Sequence, residues 1–356
     1  MMILTGLALF VVLLGMGSKE IGLQRDNYKP YLVITGIVVS LVMGLRHQYM
    51  GVDTVGYIYR HEQLAAMPSF KPYYDLWLAD SDFLFSETGY FFSSWLFGRA
   101  FPSGHTWIFV TSAFITYSTC RFIYKNSGDA PMALSIYVLL GLFTFNMSGL
   151  RQALAMSICL WAYEHAKRHR LIPFVLTVLL AMQFHKTAIC YVPMYFLPWL
   201  KRGSTNLLIY FLLLIICLFS VDKLVETYNE FSGEDYALQD EVEGGGLGVI
   251  LIYLASMTLV LIRHQCLDIP HVRMAFYGVM AGFTAYITRY FSNQILERIS
   301  YYYFYFSILL LPSLFKLLPE KDQRWLRIVF SFLALYLFLH RINKSSFGYY
   351  RFFFMD

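Results

Sequence analysis

Four arginines stand at the ends of long apolar stretches in this sequence, and their side chains are the first candidates for chemistry. They are Arg46, Arg151, Arg289 and Arg298. A planar guanidinium fork matches phosphate oxygens in bidentate fashion. One arginine at such a position usually extends toward lipid headgroups. Because all four fall on one side of the topology given below, with few acidic neighbours, we predict that together they bind an anion.

Three groups that could exchange a proton accompany the arginines. His185 and Lys186 follow an apolar run, Asp53 lies in the sequence Gly51-Val52-Asp53-Thr54, and Glu87 interrupts an aromatic segment. A histidine with an ordinary pKa near 6.5 can accept a proton at neutral pH. Two of these residues have a structural alternative. A lone histidine such as His185 is more often a hydrogen-bonded interface residue, and Asp53 could be a helix cap.

Aromatic side chains follow the second apolar run. Their default role is the belt of Tyr and Trp at a membrane surface, and the alternative is stacking against sugar rings. The residues concerned are Tyr49, Tyr57, Tyr59, Tyr73, Tyr74, Trp77 and Tyr90.

The composition identifies the solvent in which these residues must be positioned. Apolar residue types make up 58% of the 356 residues and charged types only 14%, against about 25% charged in an ordinary soluble domain. The five cysteines are scattered without metal-ligand spacing, and the net charge of +5 is spread thinly. Soluble multidomain, disulfide-rich, disordered and nucleic-acid-binding proteins are therefore excluded, and a lipid bilayer is expected.

The apolar runs predict an all-α polytopic bundle of about twelve transmembrane helices in a single integral membrane domain covering 1–356. A crossing helix needs about 20 apolar residues, or somewhat fewer where the membrane is thin. No Lys or Arg precedes the first span, so we expect it to be retained as a helix. The spans are 2–17, 30–45, 104–122, 131–147, 150–166, 171–184, 187–200, 205–221, 247–262, 272–290, 299–318 and 325–340.

The basic residues predict which ends of these helices face the cytoplasm. If the N-terminus faces out and 83–101 does not cross, the short inner loops carry most of the Lys and Arg residues, as the positive-inside rule requires. We therefore predict that 83–101 is a re-entrant or in-plane helix. Two larger loops then lie outside, at 46–82 and at the acidic, glycine-ending 222–246.

A series of short motifs, in order along most of the chain, resembles the EpsG family of Wzy-type polymerases of bacterial surface polysaccharides. Val52 stands where the family usually has Thr, and Lys186-Thr187 where a small residue and Ser are usual. The motifs are Arg46…Gly51-Val52-Asp53-Thr54…Tyr57, Glu87-Thr88-Gly89, Gly149-Leu150-Arg151-Gln152-Ala153-Leu154-Ala155, Phe184-His185-Lys186-Thr187-Ala188 and Arg298…Tyr302.

The resemblance implies a multi-pass protein of the bacterial cytoplasmic membrane that works on its outer face. It implies transfer of a growing glycan from undecaprenyl diphosphate to a lipid-linked repeat unit. The expected partners are the undecaprenyl-diphosphate-linked oligosaccharide, membrane lipid, and other assembly proteins such as a flippase or a chain-length regulator.

For such a transfer, charge on the leaving diphosphate must be stabilised and the acceptor hydroxyl must lose a proton. Arg151 is the first candidate for the diphosphate, and the arginines are expected to replace a divalent cation, so that no metal or cofactor is needed. His185 and Asp53 are the candidate bases, and Glu87 is the third. The remaining arginines support Arg151, and the acceptor and glycan contacts are Gln152, Tyr57 and Asn146.

Three other functions remain open on the sequence. A transporter or flippase of lipid-linked glycans would need arginines and an apolar groove, but it predicts mid-membrane charges and near-symmetric halves. A membrane acyltransferase that modifies the glycan would need His185 to face inward. A non-catalytic scaffold would leave the four arginines unexplained.

Overall fold

The computed structural model describes residues 1–20, 28–71, 75, 87–201, 223, 247–288 and 294–355. Within these ranges the regular secondary structure is helical, with one isolated bridge between Arg46 and Phe352 and no β-strand, which confirms the all-α prediction. Three 3₁₀ helices are Lys186–Trp199, His264–Asp268 and Ser346–Tyr349. The α-helices are α1 Met2–Glu20, α2 Tyr28–Gly44, α3 Thr54–Ala66, α4 Thr88–Gly98, α5 Gly104–Asn126, α6 Ala130–Leu139, α7 Leu142–Ser148, α8 Leu150–Lys167, α9 Leu171–Met182, α10 Leu247–Ile262, α11 Pro270–Thr288, α12 Gln294–Phe304, α13 Ser307–Phe315 and α14 Glu320–Asn343.

The predicted count of twelve spans is not confirmed. In the described part of the chain, α14 is the one helix that is long and apolar enough to cross a membrane, and the bent pair α6 and α7 would make a second span. Shorter apolar helices occupy Met2–Met16, Tyr28–Gly44, Leu171–Met182 and Ile252–Ile262. The predicted span 205–221 lies outside the described residues, as does the loop 222–246 except for Lys223.

Three predicted spans are not single α-helices, and backbone-breaking residues explain two of them. The predicted span 131–147 bends by 52° between α6 and α7, where Gly141 has a φ of +108° that other residues rarely adopt. The span 187–200 is a 3₁₀ helix containing Pro193 and Pro198, which cannot donate α-helical hydrogen bonds. The span 299–318 is divided into α12 and α13.

Hydrogen bonds between helix termini bring the C-terminal ends of α5 and α8 together at one end of the bundle. At one end, Lys167 at the end of α8 donates to the Asn126 side chain at the end of α5 over 2.5 Å, and Lys316 donates to the Gly128 carbonyl over 2.9 Å. The opposite end of α8 begins at Leu150, so α5 and α8 run parallel. At 1.5 Å per residue, about 24 Å of helix separates Arg151 from Lys167.

The segment 83–101 is described from Glu87 onward. Its helix α4 has 11 residues, so it is about 16 Å long, against a hydrocarbon thickness of about 30 Å. This length supports the prediction that the segment does not cross as a single helix. It packs instead on α3, where Gly98 permits close approach because a Cβ there would lie 2.7 Å from the Cβ of Ala65. His61 of α3 also contacts Ser94 of α4 over 2.8 Å.

The C-terminal tail returns to the end of α2. The His47 amide donates to the Arg351 carbonyl over 3.0 Å, and the Phe353 amide donates to the Leu45 carbonyl over 2.9 Å. Tyr350 donates a hydrogen bond to the Val42 carbonyl. The tail therefore covers the residue that the sequence singles out at this helix end, Arg46.

Candidate functional site

Glu87 is the centre of a buried polar cluster. Its carboxylate is 4% exposed, and it accepts hydrogen bonds from Arg151 Nη1 and, over 3.1 Å, from the backbone amide of Lys186. The Nδ1 atom of His185 lies 3.9 Å from the same carboxylate. Glu87 also has a left-handed backbone with φ +52°, a conformation that is costly for a residue with a side chain. The surrounding contacts thus hold Glu87 in a strained position that links two separate helices.

A close backbone contact fixes where α4 begins relative to the end of α9. The Tyr90 amide donates to the Gln183 carbonyl over 2.9 Å. Gly89 is required at this contact, because a Cβ there would lie 2.6 Å from the Cβ of Gln183. The Glu87-Thr88-Gly89 motif therefore places the Glu87 carboxylate against the start of the 3₁₀ helix Lys186–Trp199.

His185 has a defined tautomer in this arrangement. Its Nδ1 accepts from the Thr187 backbone amide over 3.3 Å and lies 2.7 Å from the Thr187 hydroxyl, which in turn lies 3.0 Å from the Tyr302 hydroxyl. A ring nitrogen that accepts from a backbone N–H carries no proton, so neutral His185 is protonated on Nε2. Burial, together with Arg151, Arg298 and Lys186, lowers the pKa of His185 well below its ordinary value.

Arg298 joins the cluster from α12. The Gln152 side chain donates to the Arg298 backbone carbonyl over 2.5 Å, which ties the start of α8 to α12. The charge of Arg298 acts on His185 together with those of Arg151 and Lys186. Among the described residues, three cationic side chains act on one imidazole and the Glu87 carboxylate lies 3.9 Å from it, so the balance of charge favours an anion.

Arg46 lies in the core next to this cluster. It is completely buried, and its guanidinium donates to the Met43 carbonyl over 2.5 Å and to the Thr54 and Ser112 hydroxyls over 3.3 Å each. Its Nη2 is buried and has no hydrogen-bond partner among the described residues. Tyr57 and Tyr90 lie within electrostatic range of both Arg46 and Arg151, so the two arginines flank the same pair of phenols.

Tyr57 and Asp53 lie at the exposed edge of the cluster. The Tyr57 ring meets the Tyr90 ring edge to face at 6.2 Å, and its hydroxyl hydrogen-bonds Arg151. Asp53 is exposed and occupies the N-cap position of α3, but its side chain makes no capping hydrogen bond. Asp53 therefore stands where a helix cap would, but its side chain does not cap the helix.

Asn146 lies away from any exposed surface. It is completely buried, and its amide donates to the Tyr137 and Tyr305 hydroxyls over 2.9 Å each. Because both amide protons are used within the core, the geometry favours a packing role over the predicted glycan contact. Arg289, the remaining predicted anion ligand, lies outside the described residues.

Two hydroxyl groups that orient His185 were assigned no role from the sequence. Thr187 and Tyr302 both lie within the motifs that carry the resemblance, which was the available signal. These hydroxyls contribute by orienting the His185 imidazole, and no pattern of residue types in the sequence predicts that contact.

Metal ligation has no support in the part of the chain that the structure describes, since no group of three or more His, Cys, Asp or Glu residues is present there. The chain does contain one Asp-x-Asp sequence, Asp80-Ser81-Asp82, which lies outside the described residues. The expectation of metal independence therefore stays a prediction.

The fold and the site define an all-helical protein with a cationic, partly buried cluster assembled from four separate stretches of sequence. The chain belongs to the EpsG family, which it matches over residues 29–354. This family is associated with polymerase-like glycosyl transfer in exopolysaccharide biosynthesis and with membranes. Comparison with curated proteins and with solved structures gave no match.

Proposed function

We propose that the protein is a polysaccharide polymerase of the bacterial cytoplasmic membrane. In this proposal it transfers a glycan from undecaprenyl diphosphate to a lipid-linked repeat unit on the outer face. The observation that carries the proposal is the cluster in which Arg151 is paired with the buried carboxylate of Glu87, while Arg151, Arg298 and Lys186 all act electrostatically on His185. Such a cluster can stabilise the negative charge that builds on a leaving diphosphate.

Arg151 is the residue best placed to bind the diphosphate. Its side chain is 35% exposed although Glu87 holds its Nη1 and the Tyr57 hydroxyl also hydrogen-bonds it, so a fixed guanidinium remains partly accessible. Fixing the side chain in advance removes the cost of ordering it when the substrate binds. Arg298 and Lys186 add positive charge at the same place, and in this proposal they take the role of a divalent cation.

We propose that the proton acceptor is not His185. Nδ1 of His185 is occupied by Thr187, and Nε2 carries the proton, so the imidazole presents a donor and not a lone pair to a substrate. Glu87 is held by two donors. Asp53, exposed and within electrostatic range of Tyr57, is the candidate base that fits best, and Tyr57 is a proposed acceptor contact. Gln152, also predicted as an acceptor contact, is buried and bound to the Arg298 carbonyl, so we propose that it positions the cluster.

A transfer assay tests the proposal directly. Purified full-length protein is incubated with a lipid-linked repeat unit, and the products are separated by size. A ladder of products supports polymerisation, and one added unit supports transfer of a single block. Absence of any product, combined with movement of the lipid-linked substrate across vesicles, would replace the polymerase by the flippase.

The proposed topology has an independent test. Reporter fusions at Lys167 and at His185 should report the cytoplasmic and the outer side respectively, since about 24 Å of α8 separates the two bundle ends. Fusions that report the same side for both positions would contradict it. Flippases and chain-length regulators remain proposed partners.

A further inference from the structure

A long groove between α2 and α5 lies outside the cluster described above. It has a volume of about 640 Å³ and runs along one face of each helix, from Lys29 to Leu41 on α2 and from Lys125 to Phe109 on α5. At 1.5 Å per residue, these stretches are about 18 and 24 Å long. Each exceeds the thickness of one leaflet of the hydrocarbon, which is about 15 Å. The groove can therefore take an acyl chain along its whole length.

The two ends of the groove differ in chemistry. Its walls are apolar and partly exposed, with Val33, Ile37 and Phe109 as examples. Lys29, Arg121 and Lys125 gather at the end farthest from Arg151, and among the described residues no acidic side chain lines the groove. This distribution is complementary to an amphipathic molecule with one negative head and an apolar tail.

Neighbouring residues strengthen the positive charge at that end. The guanidinium of Arg121 stacks on the Trp161 ring at 3.7 Å, which holds it in place, and Lys125 acts electrostatically on Lys167 of α8. The acidic residue that faces this region from α8, Glu164, is engaged by Lys167 at 3.6 Å and by Asn126 at 2.9 Å. The charge near the groove is therefore predominantly positive.

We propose that the groove between α2 and α5 is a binding site for an anionic phospholipid, with the phosphate at Lys29, Arg121 and Lys125 and one acyl chain between the helices. The occupant belongs to the leaflet at the basic end of the bundle, opposite the Glu87 cluster. Juxtamembrane cations attract anionic lipid, and the adjoining Tyr117 and Tyr124 are aromatic side chains suited to the headgroup region. The proposal does not depend on the polymerase activity.

Native mass spectrometry of the full-length protein tests the site. The delipidated protein is titrated with phosphatidylglycerol or with phosphatidylcholine of the same acyl composition, and the bound fraction is measured. The triple variant Lys29→Gln, Arg121→Gln, Lys125→Gln should bind phosphatidylglycerol at least about tenfold more weakly, because each cation near the headgroup contributes to the attraction. A charge-matched control, Arg170→Gln, Arg263→Gln, Lys321→Gln, removes three exposed cations outside the groove and should leave binding unchanged.

A second pair of variants tests the acyl channel. Ile37→Trp places a bulky ring inside the groove, whereas Ile34→Trp enlarges an exposed side chain on the same helix outside it. Only Ile37→Trp should lower the occupancy. Equal binding of phosphatidylcholine, loss of binding in both tryptophan variants, or displacement of phosphatidylglycerol by equimolar undecaprenyl phosphate would overturn the proposal. Each readout is binding, so a failed polymer assay would not affect it.

Discussion

Glu87 and Arg151, 64 positions apart in the chain, form an ion pair in which the carboxylate is almost completely buried while the guanidinium is partly exposed. This asymmetry gives the two residues different tasks. Glu87 has two donors and little access to a substrate, so it can only position its neighbours. Arg151 is held by Glu87 and by the Tyr57 hydroxyl and its side chain is still 35% exposed, so the exposed part can bind an anion.

Replacing Glu87 by Gln should impair catalysis more than substrate binding. Glu87 accepts hydrogen bonds at both carboxylate oxygens, so in either orientation the Gln amide nitrogen would face a donor, Arg151 Nη1 or the Lys186 amide, and the hold on Arg151 would weaken. A displacement of about 1 Å can cost roughly 10²-fold in rate. The removed negative charge would not weaken the attraction for a diphosphate. Polymer formation and binding of undecaprenyl diphosphate, measured separately on purified protein, check this.

Glu320→Gln is the control, because it removes an acidic residue from the first turn of α14, at the opposite end of the bundle. It should leave both quantities unchanged. Full activity of Glu87→Gln would show that Arg151 needs no partner to be positioned.

Replacing Arg151 by Lys should lower polymer formation at least ~10²-fold, a loss typical of removing one donor that stabilises developing negative charge. Lys keeps the positive charge next to Glu87 but lacks the planar fork, so it cannot bind the phosphate in bidentate fashion. The thermal unfolding temperature should change little. Arg151→Ala is less informative, since it leaves a buried carboxylate unpaired at a cost of about 1–3 kcal/mol. Normal polymer from Arg151→Lys, assayed in membranes with equal protein levels, would remove the bidentate argument.

The sequence predicts part of this site because some of the site residues stand beside apolar runs. Arg151, Gln152 and His185 adjoin apolar runs, and the alternation of spans brings such ends together. The pairing of Arg151 with Glu87 is not predictable in this way, because it depends on a left-handed turn at Glu87 and on the contact between Gly89 and Gln183.

Because long-range contacts cannot be read from the sequence, residues with similar sequence surroundings can have different environments in the structure. Arg46 and Arg151 both stand beside predicted spans, yet Arg46 is covered by a tail about 300 positions away in the chain. Hydrophobic patterning identifies apolar runs but not where they break. Gly141 is one residue in a continuous apolar stretch, and only its positive φ shows that the helix bends there.

The pH dependence of the reaction should show whether His185 stays neutral in the folded protein. His185 lies between two predicted spans, and burial together with three neighbouring cations lowers its pKa, so it stays neutral as the pH falls through 6.5. Activity should therefore show no half-loss near pH 6.5. In the unfolded chain the same histidine takes up its proton near that pH, so the native state should lose stability as the pH falls further.

Two substitutions of His185 separate its role as a hydrogen-bond donor from the role of a general base. His185→Gln keeps a side-chain N–H donor, so it should retain more activity than His185→Ala. A general base would instead lose ~10²-fold or more in both variants. Asp53→Asn should then show the larger loss, because Asp53 is the remaining candidate base. Rates measured between pH 5.5 and 8, with unfolding temperatures at the same pH values, give both comparisons.

Arg46 should act on stability and not on substrate affinity. Its guanidinium is completely buried and hydrogen-bonds Met43, Thr54 and Ser112, so Arg46→Lys loses contacts within the core and leaves polar groups there without a partner. We expect a loss of about 1–3 kcal/mol in the free energy of unfolding, and an unchanged KM for the lipid-linked substrate. Arg60→Lys, at an exposed position of α3, is the matched control and should change neither. A raised KM with unchanged stability in Arg46→Lys would mean that the diphosphate reaches Arg46 after all, which would require the C-terminal tail to move when the substrate binds.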